Sequence, residues 1–160
     1  MIYVLFIIAF VVTEYKIKEH MEENLQTGDR EDILDGKVTL QKHLNKGAFL
    51  NFMEDKGSLI KIISFGFLGL VMLLFAIALP KKGKKLYKLG LTLLLGGAIS
   101  NVADRFLKGY VVDYFSINYK KLKNIIFNLA DIAIILGSFL IVIATLFTGK
   151  SKGSTDKATE

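Results

Sequence analysis

Long apolar runs alternate with blocks of charge along this chain, and the pattern predicts membrane helices. A spanning helix needs about 20 mainly apolar residues, because lipid offers no hydrogen-bond partners to an open backbone. The predicted spans are residues 1–21, 59–79, 86–107 and 125–147. The charged residues gather in three blocks, at 14–56, at 81–88 and from residue 150 onward, with long apolar runs between them. This separation predicts an all-α polytopic membrane protein in which residues 1–150 form one domain.

The first predicted span is the shortest, because its apolar stretch ends at Val12. No basic residue precedes that stretch and no small-residue cleavage site follows it, so we expect a retained helix and not a cleaved signal peptide. Its continuation carries Glu14 and Lys18, which can pair along one helix face. After it, turn signals at Asp35-Gly36 and Asn45-Lys46-Gly47 surround a short alternating run. We therefore predict a small β-rich lobe at residues 22–58.

The lysines predict an orientation in the membrane. Cytoplasmic loops carry an excess of Lys and Arg, and the densest such run lies at residues 81–88. We therefore expect a multi-pass protein of the bacterial cytoplasmic membrane, with both termini in the cytoplasm, the 22–58 lobe outside, and a disordered cytoplasmic tail at 151–160. A second external loop with lysines at 108, 120, 121 and 123 opposes this assignment, but its lysines are less dense.

Composition narrows the possible chemistry. The 160 residues include no cysteine, which excludes disulfides and cysteine metal sites. The net charge of +6 could indicate nucleic-acid binding, but the lysines flank membrane segments, so we expect no nucleic-acid partner. The only histidines, His20 and His43, lie in the charged segment without metal-ligand spacing. We therefore expect neither a metal nor another cofactor, and a monomer surrounded by membrane lipids.

Polar residues interrupt two of the predicted spans. The third span ends with Asn101, Asp104 and Arg105, which share one helix face. The fourth opens with Asn128 and Asp131, three residues apart. An Asp at the bilayer centre costs roughly 2.5–3.5 kcal/mol, so such residues need a partner or a function. Asp104 could equally be a structural partner of Arg105 or a functional group, whereas no basic residue lies in the span of Asp131, which favours a function.

A third carboxylate, Asp113, lies between these two polar clusters. The apolar and aromatic residues around it predict an amphipathic stretch lying in the membrane interface. Taken alone, Asp113 would be an ordinary interfacial aspartate. Two neighbouring carboxylates, however, share a proton, so that one can act as a base while the other polarises a carbonyl. Asp113 and Asp131 are therefore candidates for the pair of a membrane aspartyl peptidase.

Glycines are frequent in the second and third spans. We interpret Gly66, Gly69, Gly90, Gly96 and Gly97 as points of close helix packing, and not as phosphate-binding loops.

Three segments of the chain resemble the lipoprotein signal peptidase family, signal peptidase II. They are Gly96–Arg105, Gly109–Tyr114 and Phe127–Asp131, and a fainter match is Asn45–Phe49. Their order and spacing and the four predicted spans all fit that family. The resemblance implies catalytic roles for Asp113 and Asp131. It implies substrate binding or site support by Asn45, Asn101, Asp104, Arg105 and Asn128.

The resemblance also implies a substrate. The family removes the signal peptide from bacterial prolipoproteins whose cysteine already carries a diacylglyceryl group, and it is sensitive to cyclic peptide antibiotics such as globomycin. The active site would then face the outer side of the membrane, with the external lobe holding the substrate.

Two departures keep an alternative open. Glu14 stands where the family usually has aspartate, and Phe49 stands at a usual alanine. The alternative is a non-catalytic or altered-specificity relative that binds lipidated peptides or a membrane partner. A proton- or ion-coupled carrier is a third class, but beyond Asp131 the fourth span offers only Ser138 and Thr145 as polar residues, which opposes a path across the bilayer.

Overall fold

The computed structural model of the protein describes residues 1–47 and 57–149. The elements, in chain order, are α1 (Ile2–Asn24), β1 (Arg30–Ile33), β2 (Val38–Asn45), α2 (Gly57–Ala78), α3 (Lys85–Leu107), β3 (Val111–Ile117), a 3-10 helix (Lys120–Asn124) and α4 (Leu129–Gly149). The fold is thus mostly helical with one small sheet. The predicted tail at 151–160, and the part of the Asn45–Phe49 segment beyond Gly47, lie outside the described residues.

Three of the described helices are long and apolar enough to cross a membrane, namely α2, α3 and the Leu129–Phe147 part of α4. The prediction of apolar spans is confirmed for these three. The helix α1 is as long, but its charged residues begin at Glu14, so its apolar part is short. Leucine, isoleucine and phenylalanine side chains on α2 and α4 point outward, as expected for helices whose solvent is lipid.

The helix α3 lies at the centre of the protein. In its most apolar 18-residue stretch 67% of the residues are buried, against 17% in that of α2 and 22% in that of α4. The apolar core joins α3 to α1 and α2, and its buried members are Ile7, Val71, Phe75, Ala78, Leu91, Leu94 and Leu95. Because α3 is surrounded, the polar residues near its C-terminal end face other protein groups and not lipid.

Small residues set the distance between α3 and α4. A β-carbon placed on Gly97 would lie 2.4 Å from the carbonyl oxygen of Ala130, and one on Gly90 would lie 2.8 Å from that of Gly137. These glycines therefore allow the two backbones to approach closely. The packing interpretation was wrong for Gly66 and Gly69, whose added β-carbons would meet nothing within 4 Å.

The sheet has the order β1-β2-β3, and both pairings are antiparallel. The predicted turn at Asp35-Gly36 joins β1 to β2, and both residues have positive φ angles of 56° and 74°. The predicted β-rich lobe is therefore present, but its sheet also includes β3, which lies beyond residue 58. The stretch around Asp113 is not amphipathic as predicted, because its β-branched and aromatic residues form the strand β3, which is buried on both faces. Its position in the membrane interface stays a prediction.

The fourth predicted span begins later than expected. Residues Ile125–Phe127 precede the helix, and Phe127 instead bridges to Phe115 of β3 through backbone hydrogen bonds. The helix starts at Leu129 because Asn128 and Asp131 cap it, as described below. This start brings the first turn of α4 against β3.

Candidate active site

Asp113 lies on β3, and only 2% of the residue is exposed. The side-chain amide of Asn45, at the end of β2, donates to its Oδ2 at 2.9 Å. The amide of Asn128 donates to its Oδ1 at 2.7 Å. Burial, and next the negative charge of Asp131, raise the pKa of Asp113 to about 7. This carboxyl group can therefore hold or release a proton near neutral pH.

Asp131 lies in the first turn of α4 and is part of a reciprocal cap. Its backbone N–H donates to Oδ1 of Asn128 at 2.9 Å, while its own Oδ2 accepts from the backbone N–H of Asn128 at 3.3 Å. This arrangement satisfies two donors that a helix start leaves free. The other carboxylate oxygen accepts from the side-chain amide of Asn101 at 2.8 Å. The carboxylate is thus held from both sides in one orientation.

Asn128 joins the two aspartates. It is fully buried. Its side-chain amide reaches Asp113, and its backbone N–H and side-chain oxygen both reach Asp131. A single residue therefore positions one carboxylate on a strand and the other on a membrane helix. The i, i+3 spacing of Asn128 and Asp131, noted in the sequence, is the spacing of this cap.

A buried cation lies beneath the pair. Lys18 on α1 is 1% exposed. Its ammonium group contacts Oδ2 of Asp104 at 2.9 Å and donates to the side chains of Asn101 and Ser100 at 3.0 and 3.1 Å. The predicted pairing with Glu14 is present at a longer 3.9 Å. Lys18 therefore links α1 to the polar end of α3.

The sequence left open whether Asp104 is a structural partner of Arg105, and the structure shows no ion pair between these two described residues. Consecutive helix residues point about 100° apart, so Asp104 faces Lys18 while Arg105 points to a different side of the helix. The guanidinium group of Arg105 donates to the backbone carbonyls of Gly47 at 3.2 Å and Asn101 at 3.3 Å. Its Nε is buried and has no hydrogen-bond partner among the described residues. Arg105 thus ties the lobe to α3.

Sequence reasoning did not assign Glu14, Lys18 or Tyr114 to the site. Glu14 is 1% exposed. Its carboxylate accepts from the backbone N–H of Ala130 at 3.2 Å and from the hydroxyl of Tyr114 at 2.8 Å. The Tyr114 oxygen accepts in turn from the backbone N–H of Leu129 at 3.1 Å. A carboxylate at a helix N-terminus is stabilised by the helix dipole, so this group holds the first turn that carries Asp131. The signal in the sequence was an acidic residue within the first predicted span, 1–21.

An apolar cavity of about 350 Å³ opens beside Asp131. Its polar lining comes from Asn101, Arg105, Asp131 and Ser64. The remaining lining residues are Phe67, Ala98, Val102, Ile134 and Ile135. The cavity thus lies between α2, α3 and α4, where an apolar ligand could enter from the lipid.

The arrangement suits acid–base chemistry. A buried carboxyl group, Asp113, and a half-buried one, Asp131, share one hydrogen-bonding residue. Two such groups cannot both ionise easily, so one tends to keep a proton. The five residues that the sequence predicts for substrate binding or support all take part in this network or border it. Among the described residues, no group of three His, Asp or Glu side chains is arranged to hold a metal ion.

The chain matches a known protein family over most of its length. The family model for signal peptidase (SPase) II matches residues 2–147. Lipoprotein signal peptidases from two strains of Acinetobacter baumannii are 37% identical over 116 residues, which is 71% of this chain and 66% of each relative. The chain thus spans about two thirds of the length of these relatives.

Solved structures share the fold. A bacterial membrane enzyme determined in meso at 2.3 Å superposes with a TM-score of 0.80 at 23% identity, covering 99% of this chain and 94% of that one. Another, at 1.9 Å, superposes with a TM-score of 0.74 at the same identity, covering 90% and 92%. The family match over almost the whole chain, together with the identity to curated relatives, shows that the chain belongs to the signal peptidase II family.

Proposed function

We propose that this protein is a membrane aspartic endopeptidase that removes the signal peptide from diacylglyceryl-modified bacterial prolipoproteins. The observation that carries the proposal is the bridge through Asn128, which holds Asp113 and Asp131 in one hydrogen-bonded unit. The family membership supplies the reaction class, and the network supplies the two carboxyl groups that the reaction needs. A protein that only binds lipidated peptides would not require this pair, so the non-catalytic alternative is not favoured.

In the proposed reaction the two aspartates divide the acid and base roles. The ionised carboxylate takes a proton from a water molecule, whose oxygen attacks the scissile carbonyl. The protonated carboxyl donates a hydrogen bond to that carbonyl and stabilises the developing negative charge. Collapse of the tetrahedral intermediate breaks the C–N bond, and the amine leaves with a proton from the pair. The raised pKa of Asp113 supports a shared proton near neutral pH.

The supporting residues have separate roles in this proposal. Asn45 and Asn128 hold Asp113, while Asn101 holds Asp131. Asp104 anchors the Lys18 ammonium group beneath them.

Arg105 has a different role, because its partly unsatisfied guanidinium group borders the cavity. It can donate to backbone carbonyls of the substrate there. The apolar walls of the cavity suit acyl chains or the apolar side chains of a signal peptide.

The same proposal includes four membrane helices with both termini in the cytoplasm. Apolar side chains of α1 such as Leu5 and Phe6 are each 59% exposed, while its Glu14 and Lys18 are buried inside. This is the inverse of a helix in water and supports α1 as a fourth span. Four exposed lysines lie at or beside the turn between α2 and α3, namely Lys81, Lys82, Lys84 and Lys85. They support a cytoplasmic position for that turn, and hence an active site toward the outer face.

The proposal takes a monomer in membrane lipids as the working unit. Residues 1–150 would form one peptidase domain, with the tail at 151–160 beyond it.

The test is cleavage of a lipidated precursor by the full chain reconstituted in lipid vesicles. Replacing Asp113 or Asp131 with asparagine should lower the rate at least about 100-fold, because acid–base groups contribute about 10²–10⁴-fold. The control is Asp35→Asn, since Asp35 lies in the exposed hairpin turn with a φ of 56° that asparagine also tolerates. Cleavage at the original rate by either active-site variant would refute the proposal.

A further inference from the structure

A second cavity, of about 460 Å³, lies against the sheet and shares no lining residue with the one beside Asp131. Residues from all three strands border it, together with the 3-10 helix and Ile126. The strand residues that line it include Arg30, Gln41 and Ser116, and the 3-10 helix contributes Lys123 and Asn124. Its lining is therefore mostly polar and carries two cations.

The charges in this second cavity are unbalanced. None of its lining residues is a carboxylate. Arg30 and Lys123 form no ion pair with any other described residue, whereas the ion pairs present use Lys16, Lys18 and Lys108. One carboxylate, Asp32, lies behind the lining, where it accepts a hydrogen bond from Thr39 at 2.5 Å. The lining itself carries two positive charges and no negative one.

Hydrogen-bond donors also converge there. Ser116 is 2% exposed, and its oxygen accepts from the Gln41 amide at 2.9 Å, so its own hydroxyl hydrogen is available to a ligand. The guanidinium group of Arg30 has five donors in a planar fork that matches phosphate oxygens. A cation pair with hydroxyl and amide donors is the chemistry that recognises a phosphate group.

The position of the cavity indicates where that phosphate comes from. Its lining residue Ile126 precedes the membrane helix α4 by three residues, and so lies at the level where the apolar span begins. On the 3-10 helix, Leu122 is 38% exposed, and the neighbouring Tyr119 is 59% exposed with the Lys120 ammonium 5.1 Å from its ring centre. Exposed aromatic and basic residues together are typical of the headgroup region of a bilayer.

We propose that this cavity binds the phosphate headgroup of an anionic phospholipid, with Arg30 and Lys123 as the charged ligands and Ser116 as a neutral donor. The bound lipid would hold the sheet, and with it Asp113 on β3, at a fixed height on the membrane. This assignment also gives Lys123 a role, although it lies on a loop that we expect outside the cytoplasm, where lysines are less frequent. It does not depend on the proposed peptidase activity.

The experiment measures lipid binding by the full chain in detergent, by native mass spectrometry, with phosphatidylglycerol and phosphatidylcholine in competition. The wild type should retain phosphatidylglycerol about ten-fold more than phosphatidylcholine. The double variant R30Q/K123Q should lose that preference. The matched control K120Q/K121Q removes the same two charges from the same region, but from lysines that do not line the cavity, and should keep it.

Three results would overturn the proposal. One is a wild type without preference between the two lipids. Another is an equal loss in K120Q/K121Q, which would mean that the surface charge acts without a site. The third concerns the source of the phosphate: glycerol phosphate or inorganic phosphate that displaces the lipid at equal concentration would show a site for soluble phosphate. Thermal unfolding of each variant, which should match the wild type in lipid-free detergent, separates lost binding from lost folding.

Discussion

Replacing Gly97 with alanine should separate α3 from α4 beside the candidate site. The new β-carbon would lie 2.4 Å from the carbonyl oxygen of Ala130 and 2.9 Å from a side-chain carbon of Ile134. Real β-carbons essentially never come within 3.0 Å of a heavy atom from a non-neighbouring residue, so the helices must move apart by at least about 0.6 Å. The obstacle is backbone, so a change of rotamer cannot relieve it.

The displacement would reach the aspartates. Gly97 lies one turn before Asn101, and Ala130 adjoins Asp131. The 2.8 Å hydrogen bond from Asn101 to Asp131 would lengthen to about 3.4 Å, beyond the usual range. Overpacking of this kind costs about 1–3 kcal/mol, and a misplacement of about 1 Å at a site can cost about 100-fold in rate. We expect G97A to lose about 1–3 kcal/mol of stability and about 10- to 100-fold of the cleavage rate.

Two control glycines make the assay specific. Thermal unfolding and cleavage of a lipidated precursor are measured in the same detergent for all variants. Gly69→Ala should leave both unchanged or slightly raise stability, because its β-carbon meets open space. Gly137→Ala should destabilise as much as G97A, since its β-carbon would lie 2.6 Å from the carbonyl oxygen of Gly90. It lies about 9 Å further along α4 than Asp131, so its rate should fall less.

Wild-type stability and turnover in G97A would refute the account of helix approach. An equal loss of rate in G97A and G137A would show that turnover follows stability alone, and that the Gly97 contact has no special part in positioning the site.

Three further predictions concern the buried charges. Because the folded protein raises the pKa of Asp113 to about 7 from an ordinary 3.8, it holds a proton that the unfolded chain releases. The contribution of this group to stability should therefore fall as pH rises from about 4 to about 7. The unfolding temperature of the wild type should fall over that range for this reason, and D113N should lack this part of the pH dependence. Cleavage should decline above about pH 7 as the shared proton is lost. Lys18→Met should lower the free energy of unfolding by about 3–5 kcal/mol, because it leaves Asp104 buried without a counter-charge. The control Lys16→Met breaks only an exposed ion pair, so it should change the free energy of unfolding by less than about 1 kcal/mol in the same denaturation series. Glu14→Ala should free the first backbone amides of α4 and speed their hydrogen exchange. Glu14→Gln keeps an acceptor oxygen and should retain most of the protection from exchange. Equal protection in E14A and the wild type would contradict the capping role.

The helices could be predicted from the sequence because an apolar run is a local property. The boundaries of α2 and α3 lie within two residues of the predicted spans, at Gly57–Ala78 and Lys85–Leu107. The hairpin turn at Asp35-Gly36 was equally local, since it depends on which residues tolerate positive φ. The start of α4 was missed because the apolar residues Ile125–Phe127 satisfy the hydropathy pattern without being helical.

The partners of the polar residues could not be predicted in the same way. Asp104 and Arg105 are neighbours in sequence, yet Asp104 pairs with Lys18, 86 positions earlier. Likewise, the residues around Asp113 form a strand because their backbone pairs with that of β2. This pairing joins distant segments, so no local sequence pattern reveals it. The glycines of α2 and α3 look alike in sequence. Added β-carbons on Gly90 and Gly97 of α3 would collide with the backbone of α4, whereas those on Gly66 and Gly69 of α2 would meet nothing within 4 Å.

The sequence by itself therefore determined which residues belong in the membrane and which polar residues there are too costly to be incidental, because the cost of burying a charge depends on the residue and its apolar neighbours. It also singled out Asp131 as a carboxylate without a basic residue in its span, and Asp113 mostly through the family resemblance. The tertiary structure alone decided what holds them, namely Asn128 between them, Asn45 and Asn101 on either side, and the charges of α1 beneath. These contacts join segments far apart in the chain, and their geometry depends on how closely the helices and the sheet pack.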